Sequence, residues 1–272
     1  MISNQFNKTR IAPTPSGYLH LGNAYSFLLT QTIALQTGAK ILLRIDDLDE
    51  ERTRALYIQD IFDTLDFLEI KYDEGPRDYG EFKNEYSQLH RGPLYETALQ
   101  QLADRALVYA CNCSRAQLEM EDCRCSTKNI NLNTPDTAWR LKTDDAKELS
   151  VNSFDKGILK ETLPPEMKDF IVRKKDGRPS YQLASLMDDQ HYGIDLVIRG
   201  KDLWPSTLAQ LFLAEKLNIS SFINTTFHHH HLLNDEKAAK LSKSAGALSI
   251  QALRKDGKTL NDIRIMAGKA KF

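Results

Sequence analysis

Residues 10–23 read RIAPTPSGYLHLGN. An apolar strand over 8–12 enters a turn rich in Pro and Gly and leaves it as a helix from Gly22 to Thr37. Gly17 and Gly22 allow backbone or nucleotide to approach where a Cβ would clash. The first turn of such a helix presents N–H groups with no partner within the helix, which makes it an anion site. His20 stands at that turn, where it can donate to a phosphate oxygen. Downstream, 40–46 reads as a second buried strand. Residues 52–68 carry Leu56, Ile61, Leu65 and Leu68 at helical spacing. A β-α-β-α order predicts an α/β fold with a doubly wound parallel sheet, whose ligands bind at the carboxyl ends of the strands.

The alternation continues with an interruption. Residues 81–105 read as helical, broken near Gly92-Pro93. A polar stretch, 126–168, with Pro135, Pro164 and Pro165, reads as an insertion with short strands. Regular order resumes at DFIVRKKDG (169–177), followed by a helix from Tyr181, a strand at IDLVIRG (194–200), a helix at 203–217 and a strand before His228. The expected divisions are a first half-sheet (1–105), an inserted subdomain (106–178), a second half-sheet ending in a lysine loop (179–244) and a short helical tail (245–272).

Positions 240–244 read KLSKS. Most such strings are solvated charged loops. Here HLGN precedes it in order, and the flanks RIAPTPSG and RIDDLDEER (44–52) accompany it. Together they resemble the HIGH and KMSKS signatures of class I aminoacyl-tRNA synthetases, the glutamyl subgroup in particular. The resemblance implies a Rossmann-type catalytic domain that joins an amino-acid carboxylate to the α-phosphate of ATP, with Mg2+ in attendance. Both reactants are anions, so catalysis rests on in-line positioning and on positive charge supplied to the phosphates. His20, Lys240 and Lys243 are the implied catalytic residues, the lysines closing over the triphosphate from a mobile loop. Gly22 and Asn23 join His20 and Lys243 as the ATP-binding set, with Asn23 a tolerated replacement for the second His of the pattern.

All four cysteines fall within fifteen residues, as Cys111-x-Cys113 and Cys123-x-Cys125. In a reducing compartment two such pairs close a tetrahedral Zn2+ site more readily than disulfides, and the metal would fold a segment too polar to build its own core. Four unligated thiols are the competing reading. Glutamyl-type synthetases carry a zinc-binding insertion opening with the same C-x-C, although relatives use Tyr or His among the later ligands.

The same resemblance implies the amino-acid pocket. Arg10 faces the substrate, Ala12 and Thr14 line the pocket, Asp46 holds the substrate amino group, and Tyr181 and Arg199 complete it. Asp46 is one methylene shorter than the Glu usual there, and Ser185 stands where relatives have Asn. Two arginines suit a carboxylate side chain such as that of L-glutamate, because planar guanidinium forks match carboxylates bidentately. Several conspicuous groups read as structural. His228 to His231 read as packing or adenosine-site lining, Asp49, Glu50 and Glu51 as a helix-start charge cluster, and Trp139 and Trp204 as core.

A net charge of −1 leaves no global basic field, so tRNA contact would depend on local patches such as Arg173-Lys174-Lys175 with Arg178. No apolar run reaches membrane length and no signal peptide opens the chain, so a cytoplasmic monomer is expected. The 28 residues after Ser244 resemble the truncated branch of the family, which attaches glutamate to the queuosine base of tRNA(Asp). Two alternatives stay open: activation for another acceptor such as a carrier protein, and a catalytically silent paralogue that binds tRNA or a partner.

Overall fold

The computed structural model describes residues 5–120, 123–144, 147–233 and 249–268. In chain order its regular elements are β1 (Lys8–Ile11), α1 (Leu21–Thr37), β2 (Lys40–Leu43), α2 (Ala55–Phe67), α3 (Tyr79–Glu81), α4 (Gly92–Asp104), β3 (Val108–Cys111) and α5 (Arg115–Met120). There follow β4 (Ala138–Leu141), β5 (Glu148–Ser153), β6 (Gly157–Thr162), β7 (Ile171–Arg173), α6 (Tyr181–His191), β8 (Leu196–Gly200), α7 (Trp204–Leu217), α8 (Ser220–Ile223), β9 (Thr226–His230), α9 (Ile250–Lys255) and α10 (Leu260–Gly268). They form two compact units, Met1–His90 with Ile194–Leu203 and Phe227–Phe272, and Arg91–Gly193 with Trp204–Thr226.

In the first unit β1 and β2 pair in parallel, Thr9 opposite Ile41 and Ile11 opposite Leu43, with α1 as the crossover. Three of four residues in each strand are buried, the near-continuous apolar pattern of a sheet covered on both faces. β8 lies against β1: Asp195 N–H donates to the Lys8 carbonyl (3.1 Å), and the Asp195 carboxylate accepts from the backbone N–H of Asn7 and Lys8 (2.8 and 2.9 Å). β9 is the sheet neighbour of β8. Gly38 ends α1 in the left-handed region (φ 76°), a conformation a side chain would strain.

The core face of α2 differs from the expected one. Leu56 is 51% exposed, while Ile58, Ile61 and Leu65 on the helix and Leu68 at its C-cap are buried, so the apolar stripe starts at Ile58. The acidic residues Asp49, Glu50 and Glu51 precede the helix and do not occupy its first turn. Instead the Asp49 carbonyl accepts from Arg52 and Thr53 N–H in a preceding turn, and its carboxylate pairs with Arg52 (3.0 Å).

In the second unit α4, α6 and α7 contribute Tyr95, Leu99, Leu183, Leu186, Leu208 and Phe212 to the core. β3, β4 and β7 form an antiparallel sheet with an irregularity at Trp139/Arg140, and β5 and β6 form a hairpin closed at Ser153 and Gly157. The span 81–105 is not one broken helix. A π-helical turn (Phe82–Tyr86) and a 3-10 turn (Gln88–Arg91) precede α4, which starts at Gly92 with Pro93 in its first turn, where a missing N–H costs nothing. Trp139 is buried, as expected for core. Trp204, opening α7, is only half-buried.

Candidate active site

The turn between β1 and α1 is closed at its helix end by reciprocal hydrogen bonds. His20 is the N-cap of α1: its Nδ1 accepts from Asn23 N–H (3.3 Å), and the Asn23 side-chain oxygen accepts from His20 N–H (3.0 Å). This is a reciprocal capping box built from His and Asn instead of Ser and Glu. Asn23 therefore has a definite role, holding the histidine in place. Because Nδ1 is the acceptor, the neutral ring carries its proton on Nε2, the tautomer that donates from that nitrogen.

The two glycines of the turn differ. A Cβ on Gly22 would stand 2.9 Å from Cε1 and 3.0 Å from Nδ1 of His20, so Gly22 is the floor on which the imidazole rests. A Cβ on Gly17 would meet no protein atom within 4 Å.

Arg10 on β1 and Arg199 on β8 are both buried, at 5% and 3% exposure. Arg10 Nη1 donates to the Ile198 carbonyl (3.3 Å), which brings the two arginines to neighbouring positions across β1 and β8. Arg199 lies 5.4 Å over the Phe227 ring, and Phe227 stacks on His229 (6.0 Å). Burial pushes the His229 pKa down to about 3, helped by the charges of Arg199, His228, His230 and Arg10. His229 is thus a neutral ring among cations. His230 is buried with a lowered pKa, again chiefly from burial; its ring meets Tyr25 edge-on at 4.9 Å and its Nδ1 donates to the His231 carbonyl (2.9 Å). Of the histidine run, His229 and His230 pack against Phe227 and Tyr25, while His231 is exposed.

Asp46 follows β2 and is held by a partner that the resemblance did not supply. Arg44 Nε and Nη2 donate to its two carboxylate oxygens at 2.7 and 3.0 Å, a bidentate pair buried at 3% and 9% exposure. Their i, i+2 spacing puts both on one face of an extended chain, a signal already present in R-I-D. The next residue, Asp47, is also buried. It accepts from the Ser87 hydroxyl (2.5 Å) and Gln88 N–H (2.8 Å), and the Gln88 side chain returns a bond to Leu48 N–H (3.2 Å). The loop after β2 is therefore fastened on both sides. Ala12 is half-buried and Thr14 exposed, both on the chain leaving β1.

Tyr181 belongs to the second unit, where it is the first residue of α6, 44% exposed, capped by the Ser180 hydroxyl accepting from Leu183 N–H. Ser185 on the same helix is 1% exposed. Further along α6, Asp188 is fully buried and takes the Arg91 guanidinium (2.7 and 3.2 Å) and the Tyr95 hydroxyl (2.7 Å). Lys240 and Lys243 lie outside the described residues.

The four cysteine sulfurs, also in the second unit, lie within 4.8 Å of one another, the one such group of His, Cys, Asp or Glu ligand atoms among the described residues. Cys111 and Cys125 are buried, and neighbouring Sγ atoms approach to 3.5 Å. Cys111 stands near 7, where hydrogen bonds from Cys113 N–H and Arg140 outweigh burial, and burial raises Cys113 to about 12. Four thiol donors at this separation fit one tetrahedral soft-metal ion. The basic run 173–178 is partly engaged here: Arg173 stacks over Trp139 (5.0 Å), Lys174 pairs with Asp176 (3.1 Å) and Lys175 donates to the Asn112 carbonyl between the first two cysteines (2.8 Å).

The model of the family "tRNA synthetases class I (E and Q), catalytic domain" matches residues 7–153 and 126–266. The glutamyl-Q tRNA(Asp) synthetase of Nitratidesulfovibrio vulgaris is 35% identical over 91% of this chain and 81% of that protein. The glutamate–tRNA ligase of Coprothermobacter proteolyticus is 32% identical over 92% of this chain and 55% of its own length. The chain thus spans about half the length of the glutamate–tRNA ligases it matches. The glutamate-tRNA synthetase structure from Elizabethkingia anophelis shares the fold with a TM-score of 0.74 at 24% identity, over 93% of this chain and 54% of that one. No helix among the described residues is long and apolar enough to cross a membrane.

Proposed function

Since the chain belongs to the class I tRNA synthetase family of the E and Q type, we propose that it activates L-glutamate with ATP and passes the glutamyl group to the queuosine base of tRNA(Asp). The observation that carries the substrate half is the pair of buried guanidinium groups, Arg10 and Arg199, at neighbouring positions on β1 and β8. Two buried guanidinium groups suit an anionic side chain, and a neutral one in its place would forgo charge-assisted contacts.

In this reading Asp46 holds the substrate amino group, with Arg44 fixing the orientation of its carboxylate. Ala12 and Thr14 contribute to the amino-acid site. His20 donates from Nε2 to a phosphate oxygen of ATP, which arrives as its Mg2+ complex, while the amides at the start of α1 add positive potential. Lys240 and Lys243 neutralise charge on the departing pyrophosphate. The carboxylate oxygen forms a bond to the α-phosphorus as the bond to the pyrophosphate oxygen breaks, and no proton need move. Cys111, Cys113, Cys123 and Cys125 would hold a structural Zn2+ whose contribution is to fold the knuckle.

The acceptor half is supported by the relative named for that reaction, 81% of whose length this chain covers. Pyrophosphate exchange measured with each amino acid tests the activation step: exchange is expected with glutamate, and its absence there refutes the proposal. Mass spectrometry of tRNA(Asp) nucleosides incubated with protein, ATP and glutamate tests the acceptor. Unmodified queuosine alongside active exchange would move the assignment to another acceptor.

A further inference from the structure

Asp60 lies on α2 and has no part in the reaction proposed above, yet it is 2% exposed. A carboxylate is buried only where its partners compensate the loss of water. Its two oxygens face different parts of the chain. Oδ2 accepts from Leu19 N–H at 3.1 Å, the amide directly before His20. Oδ1 takes Arg254 Nη2 at 3.4 Å, from α9. Arg254 is itself fixed, donating from Nη1 to the Asp63 carbonyl (2.9 Å) and lying 5.7 Å over the Phe67 ring.

The same two segments also meet directly. Ile250 N–H donates to the Leu19 carbonyl (2.7 Å), and His20 and Ser249 form an antiparallel bridge. Ser249 caps α9, its hydroxyl accepting from Ala252 N–H (3.1 Å). The backbone of Leu19 is therefore held on both sides, its N–H by Asp60 and its C=O by Ile250. Ser249 follows the last residue of KLSKS by only five positions.

We propose that Asp60 is a positioning residue that holds the histidine turn and the start of α9 in register through one carboxylate. Burial holds the Asp60 pKa above the ordinary carboxylate value and Asp63 adds to it, while Leu19 N–H and Arg254 oppose the rise. The charge needed to grip Arg254 thus depends on the contacts that it organises. A misplacement of about 1 Å at a catalytic group costs roughly a hundredfold in rate, so a link of this kind acts on turnover without touching substrate. The catalytic consequence rests on the function proposed above; the structural coupling does not.

The test uses Asp60→Asn, and Arg254→Met as the milder change on the more exposed partner. Hydrogen exchange of the full chain reads the coupling independently of activity. In Arg254→Met the amides of both Leu19 and Ile250 should lose protection by about ten- to hundredfold, the effect of losing a hydrogen bond to a charged group. Fraying confined to 250–255 with Leu19 still protected overturns the proposal. In pyrophosphate exchange each variant should lower kcat by about a hundredfold while leaving the KM for glutamate in place. The double variant should be no slower than Asp60→Asn, because both act through one link. Full kcat in Arg254→Met, or additive losses, also overturns it. If the wild-type protein exchanges with no amino acid, the functional reading falls and hydrogen exchange alone decides the role of Asp60.

Discussion

Acidification should expose the cost of keeping His229 neutral. An unfolded histidine titrates near 6.5, whereas His229 in the folded chain stands at about 3 because burial and the charges of Arg199, His228, His230 and Arg10 oppose protonation. The folded pKa is depressed, so below pH 6.5 the unfolded chain binds the proton that the folded chain refuses. The contribution of the neutral ring to stability is fully present above pH 6.5, declines as pH falls, and stops changing below about 3. From pH 7 to pH 4.5 the upper bound is about 2.7 kcal/mol, two pH units at 1.36 kcal/mol each. The ring is only partly buried, and solvent screening reduces the expected value to between about 1 and 2.7 kcal/mol. The assay is urea unfolding of wild type and His229→Asn at both pH values. Subtracting the variant removes every other carboxylate and histidine from the comparison. The wild-type minus variant stability should fall by that amount on acidification. A difference independent of pH would refute the claim that burial and the neighbouring charges keep His229 neutral.

Three further perturbations test separate parts of the structure. Arg44→Met leaves the buried Asp46 carboxylate without its bidentate partner and should cost about 3–5 kcal/mol in urea unfolding; a loss below 1 kcal/mol would mean that other groups hold Asp46. Gly22→Ala drives a methyl into the His20 ring and should break the cap, lowering stability by about 1 kcal/mol. Gly17→Ala, facing open space, should leave it unchanged, so equal losses in the two variants would refute the assignment of Gly22 as the floor of the imidazole. Incubation with a strong chelator should release one Zn2+ per chain, make Cys111, Cys113, Cys123 and Cys125 titratable by a thiol reagent, and lower Tm. Four reactive thiols before chelation, with no zinc released, would leave the cluster as unligated cysteines.

Much of the site was legible along the chain because its signals are local. The strand-turn-helix at 10–23 is written in apolar residues, Pro, Gly and a cap within fourteen positions, and the four cysteines declare themselves by lying within fifteen. Arg44 with Asp46 was legible too, from the period-2 geometry of an extended chain, but only once a reason existed to regard both as buried. Other expectations failed where two local signals competed. Leu56 fits helical spacing, yet Ile58 faces the core. The expected break at Gly92-Pro93 is the start of a helix, because a proline in the first turn interrupts nothing.

The sequence by itself marked the local groups on which the proposed chemistry rests: a helix N-terminus with His20, the KLSKS string and four clustered cysteines, each composed of residues close in number. Only the tertiary structure decided the electrostatic states. The neutrality of His229 depends first on its burial and then on charges that include Arg10, more than two hundred residues away, and the buried Asp60 carboxylate is met by Arg254, 194 residues away. Spacing along a chain records which groups share a face of one helix or strand. Burial and Coulomb energy depend on which faces meet, and that is settled only when strands distant in sequence pair and close the core over them.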